Sequence, residues 1–151
     1  MSDLVSIARL FLYVREAQDL GQNRGLRVEA IQHWSGGQQG DSWCLEMLWM
    51  WLDLYFQGQS PIPRMQACQD LYEMGRERHW IVDEPQAGDL FVYVNDADHA
   101  HHCGIITASH PLTGIAGNTS ADGASSNGDR VAEHYLIVRP ERIKYIRVPG
   151  V

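Results

Sequence analysis

The chain has 151 residues, of which 12 are basic and 19 acidic, giving a formal net charge of −7. That length suits one domain, 1–151, with a core large enough to need no disulfide staple or structural metal, and the acidic balance argues against nucleic acid or an anionic membrane as the main partner. Three cysteines, Cys44, Cys68 and Cys103, form an odd and irregularly spaced set; no disulfide framework is legible, and a reducing compartment is the simpler setting.

The opening "MSDLVSIARLFLYVREAQDL" lacks the basic-then-apolar order of a secretory signal, because Asp3 comes early and Arg9 and Arg15 interrupt the apolar positions. The expectation is a protein made in the cytoplasm without a signal peptide. Leu4, Ile7, Ala8, Phe11 and Val14 recur at helical spacing, which predicts a first helix to about Ala17, broken by "LGQNRG". A short second helix is expected around Val28, Ile31 and Trp34, followed by the glycine-rich loop "SGGQQGDS".

"GDSWCLEMLWMWLDLYFQG", Gly40 to Gly58, reads as a helix that is apolar most of the way round. Leu45, Leu48, Trp49, Leu52, Tyr55 and Phe56 fill one face, Met47, Trp51 and Leu54 spread onto the other, and Glu46, Asp53 and Gln57 mark a polar stripe. Such a helix is central and buried; Glu46 and Asp53 interrupt it, and it is too short to span a bilayer. Asp41 or Ser42 is the expected N-cap and Gly58 the stop. A fourth helix follows "QGQSPIPR" with Met65, Cys68 and Tyr72 inward.

From Pro85 onward "GDLFVYV", "HHCGIITAS", "LTGIAGN", "HYLIVR" and "IKYIRV" are short β-branched or aromatic runs separated by Gly, Pro, Asn and Asp. A block of helices followed by a block of strands predicts an α+β fold with a helix packed on a meandering antiparallel sheet.

Cys44 falls in the first turn of the third helix, where free amides and the macrodipole favour a thiolate. Two readings compete: a small apolar core residue, since buried free cysteine is common, or a nucleophile. Cysteine hydrolysis also needs an imidazole and a polar group to orient it. His102 in "HHCGII" and Asn118 in "IAGNTS" supply these types on adjacent strands, with alternation pointing His102 away from the face of Cys103 and His101. Asn118 also fits a turn that tolerates a left-handed backbone. "DADHAHHC" contains zinc-ligand types, with His99, His101 and Cys103 on one face, yet no second cluster completes a tetrahedral site, and "ADGASSNGD" lacks the order of a calcium loop. Trp43, beside Cys44, is expected on a substrate cleft wall.

"GDSWCLEMLWMWL", "PQAGDLFVYV", "HHCGIITA" and "IAGNTS", in this order and at these distances, resemble the CHAP family, the cysteine, histidine-dependent amidohydrolases/peptidases, close to NlpC-type enzymes of the papain-like superfamily. The resemblance implies a papain-like fold with the nucleophile helix packed on a C-terminal antiparallel sheet. It matches Cys44 to the nucleophile, His102 to the base, Asn118 to the polar orienting residue and Gly88-Asp89 to the step opening the first strand. Where many members carry a glutamate two residues before the asparagine this chain has Ala116, and Cys103 replaces the usual aliphatic after the histidine.

The implied activity is cleavage of amide bonds in bacterial peptidoglycan, as an amidase or endopeptidase, with no cofactor and no metal. The oxyanion would accept from the Cys44 backbone and from a donor in the "GGQQGDS" loop, with Gln38 or Gln39 as candidates. The setting implied is a phage lysin released through a holin, or an antibacterial toxin with a delivery system and an immunity protein, acting on the wall after release. Other readings are a catalytically silent module binding wall peptides or a protein partner, and a cysteine protease or acyl transferase on other substrates.

Overall fold

The computed structural model describes residues 3–151. Among them are four helices and a six-stranded antiparallel sheet, helices first, so the α+β reading holds. Helix α1 (Leu4–Arg9) is capped by Asp3, whose carboxylate accepts from the Ser6 amide at 2.6 Å. It stops well short of Ala17. After a turn closed by the Val14 amide on the Phe11 carbonyl, residues 14–16 are drawn to the sheet edge: Val131 donates to the Val14 carbonyl and Glu16 donates to that of Asp129. Strand-edge pairing there replaces continued helix, although the apolar spacing permits either.

Helix α2 (Leu26–Trp34) lies where its spacing predicts. Helix α3 (Cys44–Tyr55) is the buried centre, but its N-cap is Trp43 with no side-chain cap, because both expected caps are engaged elsewhere. The Asp41 carboxylate accepts from the Gln38 amide, and the Ser42 hydroxyl accepts from Asn118. Beyond its end, Gln57 and Gly58 turn left-handed and the Gly58 amide closes on the Asp53 carbonyl at 2.8 Å. Helix α4 (Cys68–Glu77) buries Cys68, Leu71 and Tyr72.

The strands are β1 (Ile81–Val82), β2 (Leu90–Val94), β3 (Ala100–Ser109), β4 (Leu112–Thr119), β5 (Arg130–Tyr135) and β6 (Ile143–Ile146), in spatial order β1-β6-β2-β3-β4-β5. The meander β2 to β5 is as expected. The short β1, which the sequence reading placed in no strand, pairs with β6 at the far edge. The run "HYLIVR" is mostly not strand: β4 begins at Leu112, which accepts from the Leu136 amide, so nothing faces Ile137 and it is left exposed.

Alternation along β2 sends Leu90, Val92 and Val94 into the core shared with α3, and Phe91 to a smaller cluster with Ile106, Ala116, Leu136 and Ile143. The Gly88-Asp89 step has a clear physical task. Gly88 turns with φ +96° and donates to the Ile106 carbonyl, while buried Asp89 accepts from the Gln86 amide and twice from Arg147, at 2.9 and 2.8 Å. This pins the start of β2 to Arg147, the residue after β6.

Gly104 sits where β3 passes the Ile115 carbonyl and the Phe91 ring, whose nearest atom would lie 2.7 Å from an added Cβ. Backbone on one side leaves no room to yield. Gly104→Ala is therefore expected to lower stability by about 2–3 kcal/mol, seen as a lower urea midpoint at unchanged slope.

Candidate active site

Cys44 opens α3, so its sulfur sits over the first-turn amides that have no acceptor within the helix. The helix start packs on β3 and β4, and two further thiols converge there. Cys68, first residue of α4, places its sulfur 3.6 Å from that of Cys44, and Cys103 enters from β3. Hydrogen bonds from Cys103 and then Cys68, joined by the hydrogen bond and charge of His102, hold the Cys44 thiol well below the ordinary thiol range despite its burial. The other two move the opposite way. Burial and the neighbouring Cys44 raise Cys103, and for Cys68 the help of Cys103 is outweighed by Cys44 and burial. One thiolate and two thiols is the preferred state of the trio.

Strand alternation is interrupted here. Tyr93 pairs with His102 and Val94 with Ala100, so His101 is an extra residue in a bulge. Cys103 opposes Val92 and belongs to the helix-side core. His102 stacks its ring near Tyr93 and Phe91, with centroids 5.5 and 6.2 Å away, and still reaches Cys44. His102 and Cys103 thus lie on opposite faces, as alternation predicts, but it is the Cys103 face that meets the sulfur of Cys44. Burial pushes the Tyr93 phenol up to about 12, so a neutral ring flanks the imidazole. His101 is exposed, and burial followed by the charge of His102 lowers its pKa.

Asn118 lies near the end of β4, the strand that neighbours β3, past the Ile105–Ile115 pair. Asn118 is fully buried and left-handed, φ +54°, a conformation asparagine tolerates better than most residues. Its Nδ2 donates to the Ser42 hydroxyl at 2.6 Å, tying β4 to the residue two before Cys44. Asn118 Oδ1 and His102 Nδ1 are both buried without a partner.

Other expectations change. Trp43 is no cleft wall: it is fully buried, its indole donates to Glu16 at 2.9 Å, and its ring lies against Gly117. The Gln39 side-chain amide donates to Glu29 and the Gln38 backbone N–H to Asp41. Glu46 leaves the polar stripe altogether. It is fully buried, accepts from Ser35 at 2.7 Å, and burial pushes its carboxyl to about 7. The histidine cluster does not gather as a metal set; among the described residues the grouping is Cys44, Cys68 and Cys103. Ser42, Cys68 and Glu46 are the site neighbours that sequence reasoning missed, since no spacing rule links residues 44 and 68.

Alkylation should read the thiolate directly. Iodoacetamide labelling of Cys44 is expected to reach half its plateau rate well under the free-thiol value of about 8.5, ahead of Cys68 and Cys103, as located by mass spectrometry. Glu46 makes a separate prediction. Its folded pKa lies above the ordinary 4.5, so the protein binds the extra proton when folded and loses stability as pH rises from there to about 7. Glu46→Gln removes that loss, so its stability relative to wild type should rise across this window by on the order of 3 kcal/mol, measured by urea unfolding at several pH values. Comparison with protein-family models, with curated proteins and with solved structures returns no match to this chain.

Proposed function

We propose that this protein is a papain-like cysteine hydrolase of the CHAP type that cleaves amide bonds in peptidoglycan. The observation that carries the reading is Cys44 at the start of a buried helix, its thiol held low by its thiol neighbours and by His102. The sequence resemblance supplies the substrate class.

In this reading the Cys44 thiolate attacks the amide carbonyl, and the new oxyanion accepts from the Cys44 backbone N–H at the positive end of α3. His102 protonates the leaving amine, then takes a proton from the water that hydrolyses the thioester. Asn118 orients the ring: when His102 Nδ1–H turns to Asn118 Oδ1, both partnerless atoms are satisfied and Nε2 is left to face the sulfur. With Ala116 in place of a carboxylate, the imidazolium has only this amide dipole behind it. Substrate reaches the sulfur through a narrow rim, since Cys44 is 4 % exposed. A surface groove runs between 16–22 and 127–129; Gly128, on its wall, donates to the Asn118 carbonyl, so the "SADGASSNGD" loop is joined to the site. Its action on the wall after release, as a phage lysin or a delivered toxin, follows from the same resemblance. No described helix is long and apolar enough to cross a membrane.

The small exposure of Cys44 favours the second reading, a silent module of the same fold that binds wall peptides or a partner. Purified sacculi decide between them. Wild type should solubilise material and release new amines, Cys44→Ala should fall by at least about a thousandfold, and His102→Ala by roughly a hundred- to ten-thousandfold, while His101→Ala keeps most activity. Sacculi of both Gram classes left intact by protein whose Cys44 alkylates normally would reject the wall reading.

A further inference from the structure

Among the described residues, three sulfurs from distant parts of the chain meet in one place: Cys44 from α3, Cys68 from α4 and Cys103 from β3, all within 4.8 Å of one another and two of them 3.6 Å apart. An amide hydrolase needs one of these thiols. The other two have no part in the chemistry proposed for it.

Their spacing has a physical meaning. A point equidistant from three atoms about 4 Å apart lies about 2.3 Å from each, which is the length of a zinc–thiolate bond. The surroundings suit the same occupant. Cys44 and Cys68 each open a helix, of 12 and 10 residues, so two helix N-termini meet at the cup. Each contributes about half a positive charge. Three thiolates around a divalent ion leave one net negative charge, which those two helix ends offset; a monovalent ion leaves two. Cys103 is fully buried and forms the floor, whereas Cys44 and Cys68 keep 4 % and 7 % of their surface exposed, so the cup opens on their side. All three belong to the apolar core between helices and sheet, a dry shell that strengthens metal–thiolate attraction.

The geometry points to Cys44, Cys68 and Cys103 as a three-thiolate site for one soft divalent metal ion of the zinc class, its fourth coordination position turned to the open rim. Binding is a ligand exchange without redox change. The Cys44 thiolate donates directly, Cys68 and Cys103 give up their S–H protons to solvent as their sulfurs bond the ion, and the ion sheds water. Resting on the hydrolase reading, the loaded form has no free nucleophile, so metal silences the enzyme and chelation restores it; the site itself does not depend on that reading.

The test uses the full chain, reduced and desalted without oxygen, titrated with Zn(II), with Cd(II) as the ultraviolet probe of thiolate coordination and with Cu(I) as a competitor class. One equivalent of Zn(II) or Cd(II) should bind, with a thiolate-to-metal charge-transfer band, proton release, and protection of Cys44 from alkylation. Loss of a mere outer-shell partner costs a metal site roughly 10–100-fold in affinity, so Cys68→Ala and Cys103→Ala should each weaken binding at least that much, in variants whose near-ultraviolet circular dichroism matches wild type. If either variant misfolds, the wild-type titration alone still decides. Less than a tenth of an equivalent bound, no charge-transfer band, or unchanged affinity in both folded variants overturns the site, and binding of Cu(I) with no binding of Zn(II) or Cd(II) overturns its divalent assignment. Sacculi untouched by protein that nonetheless binds the ion would remove the hydrolase reading and leave the site standing.

Discussion

The approach of the start of α3 to strands β3 and β4 governs everything around Cys44. Helices normally stand off a sheet by the length of their side chains, and here the sheet gives way instead. At Gly117 an added Cβ would lie 2.9 Å from both Met47 and the Trp43 ring, so the absence of a side chain on β4 is what lets the first turn of α3 settle. Once it has settled, Ser42 comes within hydrogen-bonding reach of Asn118, and the thiol of Cys44 meets β3 at Cys103 and His102. The glycine makes room, the asparagine bond fixes the distance, and the histidine and sulfur chemistry follows from both.

Polar groups without partners gather at this junction. His102 Nδ1, Asn118 Oδ1 and Glu46 Oε1 are all buried and unpartnered, and all lie on or next to the elements that carry Cys44. A folded chain ordinarily pairs such atoms. Each costs stability that an apolar residue in its place would not. Glu46 illustrates the point: a carboxyl two residues from a low-pKa thiol, in the same first turn, is pushed up to about 7 by burial against the opposing hydrogen bond of Ser35. Its charge and that of Cys44 oppose each other, so the thiolate is favoured when Glu46 is protonated.

Much of this was legible in the sequence. The buried character of α3 followed from its being apolar most of the way round, the placement of Cys44 in its first turn from the "GDSW" lead-in, and the β2-to-β5 meander from the spacing of Gly, Asn and Asp between β-branched runs. What escaped has common physical causes. Alternation places His102 and Cys103 on opposite faces, as they are, but does not say which face meets the helix, and that of Cys103 does. Trp43 looked exposed because neighbours in sequence say nothing of Glu16, 27 residues earlier, which accepts from its indole. Glu46 read as solvated since nothing local announces Ser35. The apolar spacing beyond Arg9 was real, but those side chains serve a sheet edge as well as a helix, and pairing with 129–131 decided between them.

That edge carries a consequence for how the molecule behaves among its own copies. A six-stranded sheet has two rows of unpaired backbone groups, which ordinarily invite strands from neighbouring chains. At one side the row belongs to β1, only two residues long. On the other side the outer edge of β5 is met by residues 14–16, through the isolated Arg15–Arg130 bridge and its flanking hydrogen bonds. Neither edge offers a long template for a foreign strand. Resistance to edge-to-edge aggregation is thus built into the segment that stopped being a helix, and a change that restored helix through Val14 and Arg15 would uncover the β5 edge and invite self-association.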